Sequence, residues 1–195
     1  MPILAREPDA YPENLLESPA VEHDAGSICW WVLHTLPRRE KELMRRLGAL
    51  QVCFYAPLAE RRTRGSTGRI RTAYVPLFPG YVFLHGDEDD RQRAMKTNCA
   101  IRWLCVPDQA TLTHDLRQIN RLTKSGASLR AVDRFMPGTH VEISQGPLAG
   151  LEGTIIRRDQ HATLLIEVHF LKRGASVEIE DWMVEPILAD CGVHA

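Results

Sequence analysis

The chain has 195 residues, 44% hydrophobic and 25% charged, with a formal net charge of −1. That balance excludes wholesale disorder, and no apolar run approaches the roughly 20 residues that cross a bilayer as a helix. Charge is unevenly placed: residues 1–27 sum to −5, 28–72 to +7, 73–136 to +2 and 137–195 to −5. A basic segment between acidic ends suits an anionic partner. The first residues lack the basic head and apolar core of a secretory signal. The 5 cysteines form no evident framework of pairs, so a cytoplasmic setting is expected.

Residues 1–27 mix Pro, Glu, Asp and Ser without a period, and are expected to form a mobile acidic extension. Ile28–His34 is short, apolar and bounded by polar residues, as a buried strand is. Residues 38–48 follow with Leu43, Met44, Leu47 and Leu50 on one helical face. Pro37 suits the first turn of that helix. Phe54–Leu58 reads as a second strand. Arg61, Arg62, Arg64, Arg69 and Arg71 surround Gly65-Ser66-Thr67-Gly68, a basic hairpin tip. Tyr74–Leu84 returns as a strand kinked at Phe78-Pro79-Gly80. The acidic loop Asp87–Asp90 caps a helix running to about Thr97. Ile101–Val106 is a fourth strand. Thr111–Lys124 is a further helix, with Thr113 or Asp115 as its cap and Leu116, Ile119 and Leu122 on its apolar face.

Strand, helix, strand, strand, helix, strand is the split β-α-β order. It predicts an α+β unit: an antiparallel sheet with two helices on one face. Residues 125–137 read as a linker. Beyond them, five short strands separated by Gly turns (141–143, 154–156, 163–170, 176–179 and 182–187) predict a small closed β-barrel.

Three segments carry a family resemblance: Trp30-Trp31-Val32-Leu33-His34-Thr35, Pro76-Leu77-Phe78-Pro79-Gly80-Tyr81-Val82-Phe83, and Gly146-Pro147-Leu148-Ala149-Gly150-Leu151-Glu152-Gly153-Thr154. In this order they resemble the NusG family of transcription elongation factors. The resemblance covers about residues 28–188. It implies an N-terminal NusG-type domain over 28–124, the linker at 125–137, a five-stranded SH3-like KOW barrel over 138–188 and a tail at 189–195. It implies a monomer that binds RNA polymerase and promotes processive elongation or antitermination.

On that resemblance, His34, Phe78, Pro79, Tyr81 and Phe83 form the patch that meets the clamp of the polymerase's largest subunit. Trp103 and Val106 extend it, and Arg91 and Arg93 face the opposing lobe. Alternation puts Tyr81 and Phe83 on one face and Val82 on the other, so some of these aromatics are structural. Arg38, Arg39, Arg61, Arg62, Arg64, Arg69 and Arg71 fall where the family's domain approaches the non-template DNA strand or nascent RNA. Phe170 and Arg173 match the segment through which the KOW domain recruits Rho or a small-subunit ribosomal protein. The acidic extension and the strand at 101–105 point to a specialised paralogue of the RfaH type, whose C-terminal domain is stored against the polymerase site.

No phosphate loop, nucleophile elbow or metal-spaced His/Cys cluster is present, so no catalysis, cofactor or metal is expected. The competing reading is a stand-alone RNA- or ribosome-binding KOW protein. It accounts for the arginines but leaves the kinked aromatic strand unexplained.

Overall fold

The computed structural model describes residues 6–18, 21, 27–64, 70–127, 129–132, 138–158, 161–179 and 184–186. The first sheet is antiparallel, in the order β1-β3-β6-β2-β7. Its strands are β1 (Ala10–Tyr11), β2 (Cys29–Thr35), β3 (Cys53–Tyr55), β6 (Tyr81–Gly86) and β7 (Ala100–Cys105). The strand β2 lies inside this sheet, which suits its near-continuous apolar run. Between β3 and β6 the chain leaves the sheet as a separate hairpin, β4 (Leu58–Arg64) with β5 (Ile70–Pro76). The strands expected at 54–58 and 74–84 are therefore each broken in two, at Ala56-Pro57 and at Leu77–Gly80.

Three helices position these strands: α1 (Glu40–Ala49), α2 (Glu88–Met95) and α3 (Gln109–Lys124). The helix α1 starts later than Pro37 predicts. Arg38 takes a left-handed φ of 62°, which breaks the helix before Arg39. Asp87 caps α2 by accepting from the Asp90 N–H at 2.9 Å. The α3 cap is Asp108, which accepts from the Thr111 N–H at 2.9 Å, so neither Thr113 nor Asp115 is the cap.

Alternation along β2 and β6 creates two cores. Leu33, Val82 and Leu84 point to α1 and α2, meeting Leu43, Met44, Leu47 and Ala94. Trp30, Val32 and Phe83 point the other way, to Leu112, Leu116, Ile119 and Leu122 of α3.

A second antiparallel sheet closes over the far side of α3, in the order β13-β9-β10-β11-β12-β8. Its strands are β8 (Arg130–Val132), β9 (Thr139–Ile143), β10 (Glu152–Arg158), β11 (His161–Val168), β12 (Arg173–Ile179) and β13 (Val184–Pro186). Val141, Ile143, Leu164, Ile166 and Val168 share one apolar cluster with α3. The helix is thus buried toward both layers, while Ala110, Thr111, His114, Arg121 and Lys124 stay exposed. The expected five-stranded closed barrel is corrected to a six-stranded sheet. The segment read as linker supplies β8, which occupies the free edge of β12, and among the described residues the two end strands do not pair.

The acidic extension is also corrected where it is described. Asp9 O accepts from Ala56 N at 2.7 Å, Ala10 pairs with Tyr55, and Leu15 and Leu16 are buried. Its acids meet basic residues of the helices: Glu7 with Arg45 at 3.1 Å and Glu17 with Lys124 at 2.6 Å. Opposite charge and two buried leucines hold residues 6–18 against the fold. No helix among the described residues is long and apolar enough to cross a membrane.

Candidate functional site

The site begins at the break between β5 and β6. Pro79 fixes one φ, and Gly80 takes a φ of 86° that an L side chain rarely adopts. The turn is anchored from outside. The buried carboxylate of Glu40, opening α1, accepts from the Gly80 N–H at 2.8 Å. Thr35 N donates to Gly80 O at 2.8 Å. The bend is therefore held by both β2 and α1, so its backbone is fixed in place. Sequence reasoning missed Glu40, which sits among charged residues and gives no periodic signal.

The predicted aromatic patch divides. Phe78 is 2% exposed and Phe83 fully buried, their rings edge to face at 6.2 Å. They belong to the core between sheet and α3, so Phe78 is not the surface anchor the sequence suggested. Once Pro79-Gly80 breaks the strand, alternation no longer fixes the direction of Phe78. Val106 is likewise core, at 4% exposed. What reaches the surface is Pro79 with half-buried Tyr81 and His34, whose rings lie 5.3 Å apart. The His34 Nδ1 is buried without a hydrogen-bond partner among the described residues.

Trp103 lies elsewhere. It pairs with Leu33, whereas Tyr81 and Arg102 pair with His34, so Trp103 faces the α1–α2 side. There it meets Trp31 edge to face at 5.3 Å, and the Arg91 guanidinium sits 4.3 Å from its ring centre. Arg91 also grips Glu88, whose carboxyl is held down at about 2 mainly by that hydrogen bond. Arg93 binds Asp90 at 2.9 Å and the Leu50 carbonyl. Both arginines expected at an opposing lobe are engaged within the fold.

The basic residues fall in two places. Arg38 and Arg39 are exposed before α1, Arg39 paired with Glu42. Arg61, Arg62 and Arg64 are exposed on β4, Arg62 paired with Glu60. Arg69 lies outside the described residues, and Arg71 enters only through its backbone, opposite Thr63.

Arg173 comes where the sequence did not place it. It opens β12, yet its guanidinium donates to Pro79 O at 3.2 Å and lies 5.2 Å from the Tyr81 ring centre. The expected recruiting residue of one half thus rests on the expected binding patch of the other. Phe170 packs partly buried against the shared core.

A polar stripe on α3 completes the junction. Asp115, Gln118 and Arg121 recur every third residue and so share one helix face. Asp115 accepts from His169 N at 2.9 Å, and Gln118 accepts from Glu152 N at 2.9 Å. Arg121 donates to Gly150 O at 2.9 Å and also to Ala149 O. Gly150 has a φ of 75°, and a Cβ there would stand 3.3 Å from the Arg121 guanidinium. The glycine-rich motif at 146–154 therefore faces α3.

Two antiparallel sheets sharing one helix, with a rigid aromatic bend and a basic hairpin, define a mixed α/β protein of two associated units. The family model described as "Transcription termination factor nusG" matches residues 28–137, more than half of the chain. The chain belongs to the NusG family of transcription factors. The transcription termination/antitermination protein NusG of Pasteurella multocida (strain Pm70) is 26% identical over 125 residues, 60% of this chain and 68% of that protein. A solved structure described as "Domain interaction in Thermotoga maritima NusG" aligns at 18% identity with a TM-score of 0.47, covering 84% of this chain and 99% of that one. The MjSpt4:Spt5 complex aligns at 16% identity with a TM-score of 0.26, covering 81% of this chain and 97% of that one.

Proposed function

We propose that this chain is an elongation factor that docks on RNA polymerase through Pro79, Tyr81 and His34. The observation that carries the reading is the bend itself. Its backbone is clamped by Glu40 and Thr35, while two ring side chains and a proline remain at its surface. A rigid aromatic group of this kind suits an apolar groove between helices. Arg61, Arg62 and Arg64 project from a hairpin that leaves the sheet, and contact phosphate of the non-template strand or nascent RNA. The second sheet recruits a further factor, Rho or a ribosomal protein, once it is free to do so.

One observation favours a specialised, RfaH-like mode within this reading. Arg173 lies over the Tyr81 ring and donates to Pro79 O, a contact that supports a mode in which the second sheet masks part of the bend. Tyr81→Ala should weaken binding to core polymerase at least tenfold while leaving thermal unfolding nearly unchanged. Arg173→Ala should strengthen binding several-fold by uncovering the ring. Unaltered affinity in both variants, measured with the full chain, would remove the bend from the polymerase contact.

A further inference from the structure

We propose that the seam between α3 and the second sheet is a proton-operated clasp, centred on Asp115 and Glu167, that tightens as pH falls and loosens as pH rises. The seam encloses a cavity of about 280 Å³ lined by His114, Asp115 and Gln118 of α3 with His140, Glu152, Glu167 and His169 of the facing sheet. Three carboxylates and three imidazoles thus meet across a junction whose other contacts are an apolar cluster and bonds from helix side chains to backbone. No set of three His, Cys, Asp or Glu among the described residues is arranged to hold a metal ion.

Asp115 is the centre of the contact. Its side chain is 4% exposed, and its carboxylate receives both the backbone N–H of His169 and, at 3.1 Å, the ring nitrogen Nδ1. Burial nonetheless dominates. It pushes the Asp115 carboxyl above its ordinary value, against the hydrogen bonds and charge of His169. Burial raises Glu167 as well, and the neighbouring charge of Asp115 adds to it, while His169 and His140 act in the opposite sense. Glu152 and His114 complete the ring of groups that face these two acids.

The direction of the switch follows from linkage. Both acids bind a proton more tightly in the closed seam than when they face water. Acid therefore favours the closed arrangement. The stabilisation is complete below their solvent values and is lost as pH rises through the raised ones. At higher pH two desolvated negative charges sit in one cavity, and separation of the layers relieves them. Separation also moves Arg173 off Tyr81, which links the clasp to the polymerase reading without depending on it.

The test is intramolecular energy transfer in the full chain, with dyes carried by non-natural residues at positions 96 and 172. In a titration that starts in the ordinary carboxylate range and runs to mildly alkaline pH, the ratio of closed to open molecules should fall by roughly threefold or more. Asp115→Asn with Glu167→Gln keeps acceptors in place and removes both titrations. This variant should stay closed, with a flat profile. Glu167→Gln alone should flatten the profile in part, and it serves if the double variant does not fold. A wild-type profile without slope overturns the clasp, as does an unchanged slope in the folded variants. The readout contains no polymerase, so its failure leaves the proposed docking surface standing, and the reverse also holds.

Discussion

The two faces of the first sheet are closed by different chemistry. Toward α1 and α2 the contact is mainly apolar, from Leu33, Val82 and Leu84 to Leu43, Met44 and Leu47, with Glu40 and Arg91 as polar contacts at its margins. Toward α3 the sheet is again apolar, but α3 meets the second sheet through both an apolar cluster with Leu164, Ile166 and Val168 and a stripe of Asp115, Gln118 and Arg121. An apolar contact loses its whole driving force when separated in water, because every buried group is then exposed. Asp115, Gln118 and Arg121 regain water partners on separation, so their net contribution is small. The first face is held mainly by apolar packing, whereas the junction beyond α3 adds to its apolar cluster a row of polar bonds that cost little to separate. Junctions between units of one chain are commonly of the second kind.

Three substitutions would break or sharpen this contrast. Leu47→Ala, at a fully buried position between α1 and the sheet, should cost about 2–5 kcal/mol in urea unfolding. A loss well below that range would mean the α1–α2 face is not a close-packed core. Arg121→Ala removes two bonds to backbone carbonyls at an exposed position, an effect of about 1 kcal/mol. It should raise amide exchange in β9 and β10 while leaving β2 and β6 protected. Equal acceleration in both sheets would mean that the two units open together. Trp103→Ala is the smallest. It removes the Arg91 contact, about 0.5–1 kcal/mol, and should leave polymerase affinity unchanged because the indole faces away from Tyr81. Reduced affinity in a folded variant would return Trp103 to the docking surface.

The readability of the sequence follows the same division. The helices and strands of the persistent core are plain in the pattern, since Leu43, Met44 and Leu47 keep helical spacing and β2 is a bounded apolar run. The polar stripe of the junction is hidden. Asp115, Gln118 and Arg121 look like a solvated helix face until a second layer supplies backbone partners. Local pattern also misplaced Asp115 as a cap, because a carboxylate near a helix start satisfies that rule wherever its side chain ends. The docking of residues 6–18 rests on a two-residue strand and two ion pairs, too little to mark in one dimension. Arg173 reads along the chain as a partner-recruiting residue of the second sheet, and nothing in one dimension places it against a turn 94 residues away.

The stripe on α3 has a consequence for how such a chain changes over generations. At three points of the stripe, what α3 holds in the second sheet is main chain: the N–H groups of residues 169 and 152 and the carbonyls of 149 and 150. Main-chain groups survive almost any substitution that keeps the local turn. Side chains on the outward surface of the second sheet are therefore free to drift without loosening its seat on α3.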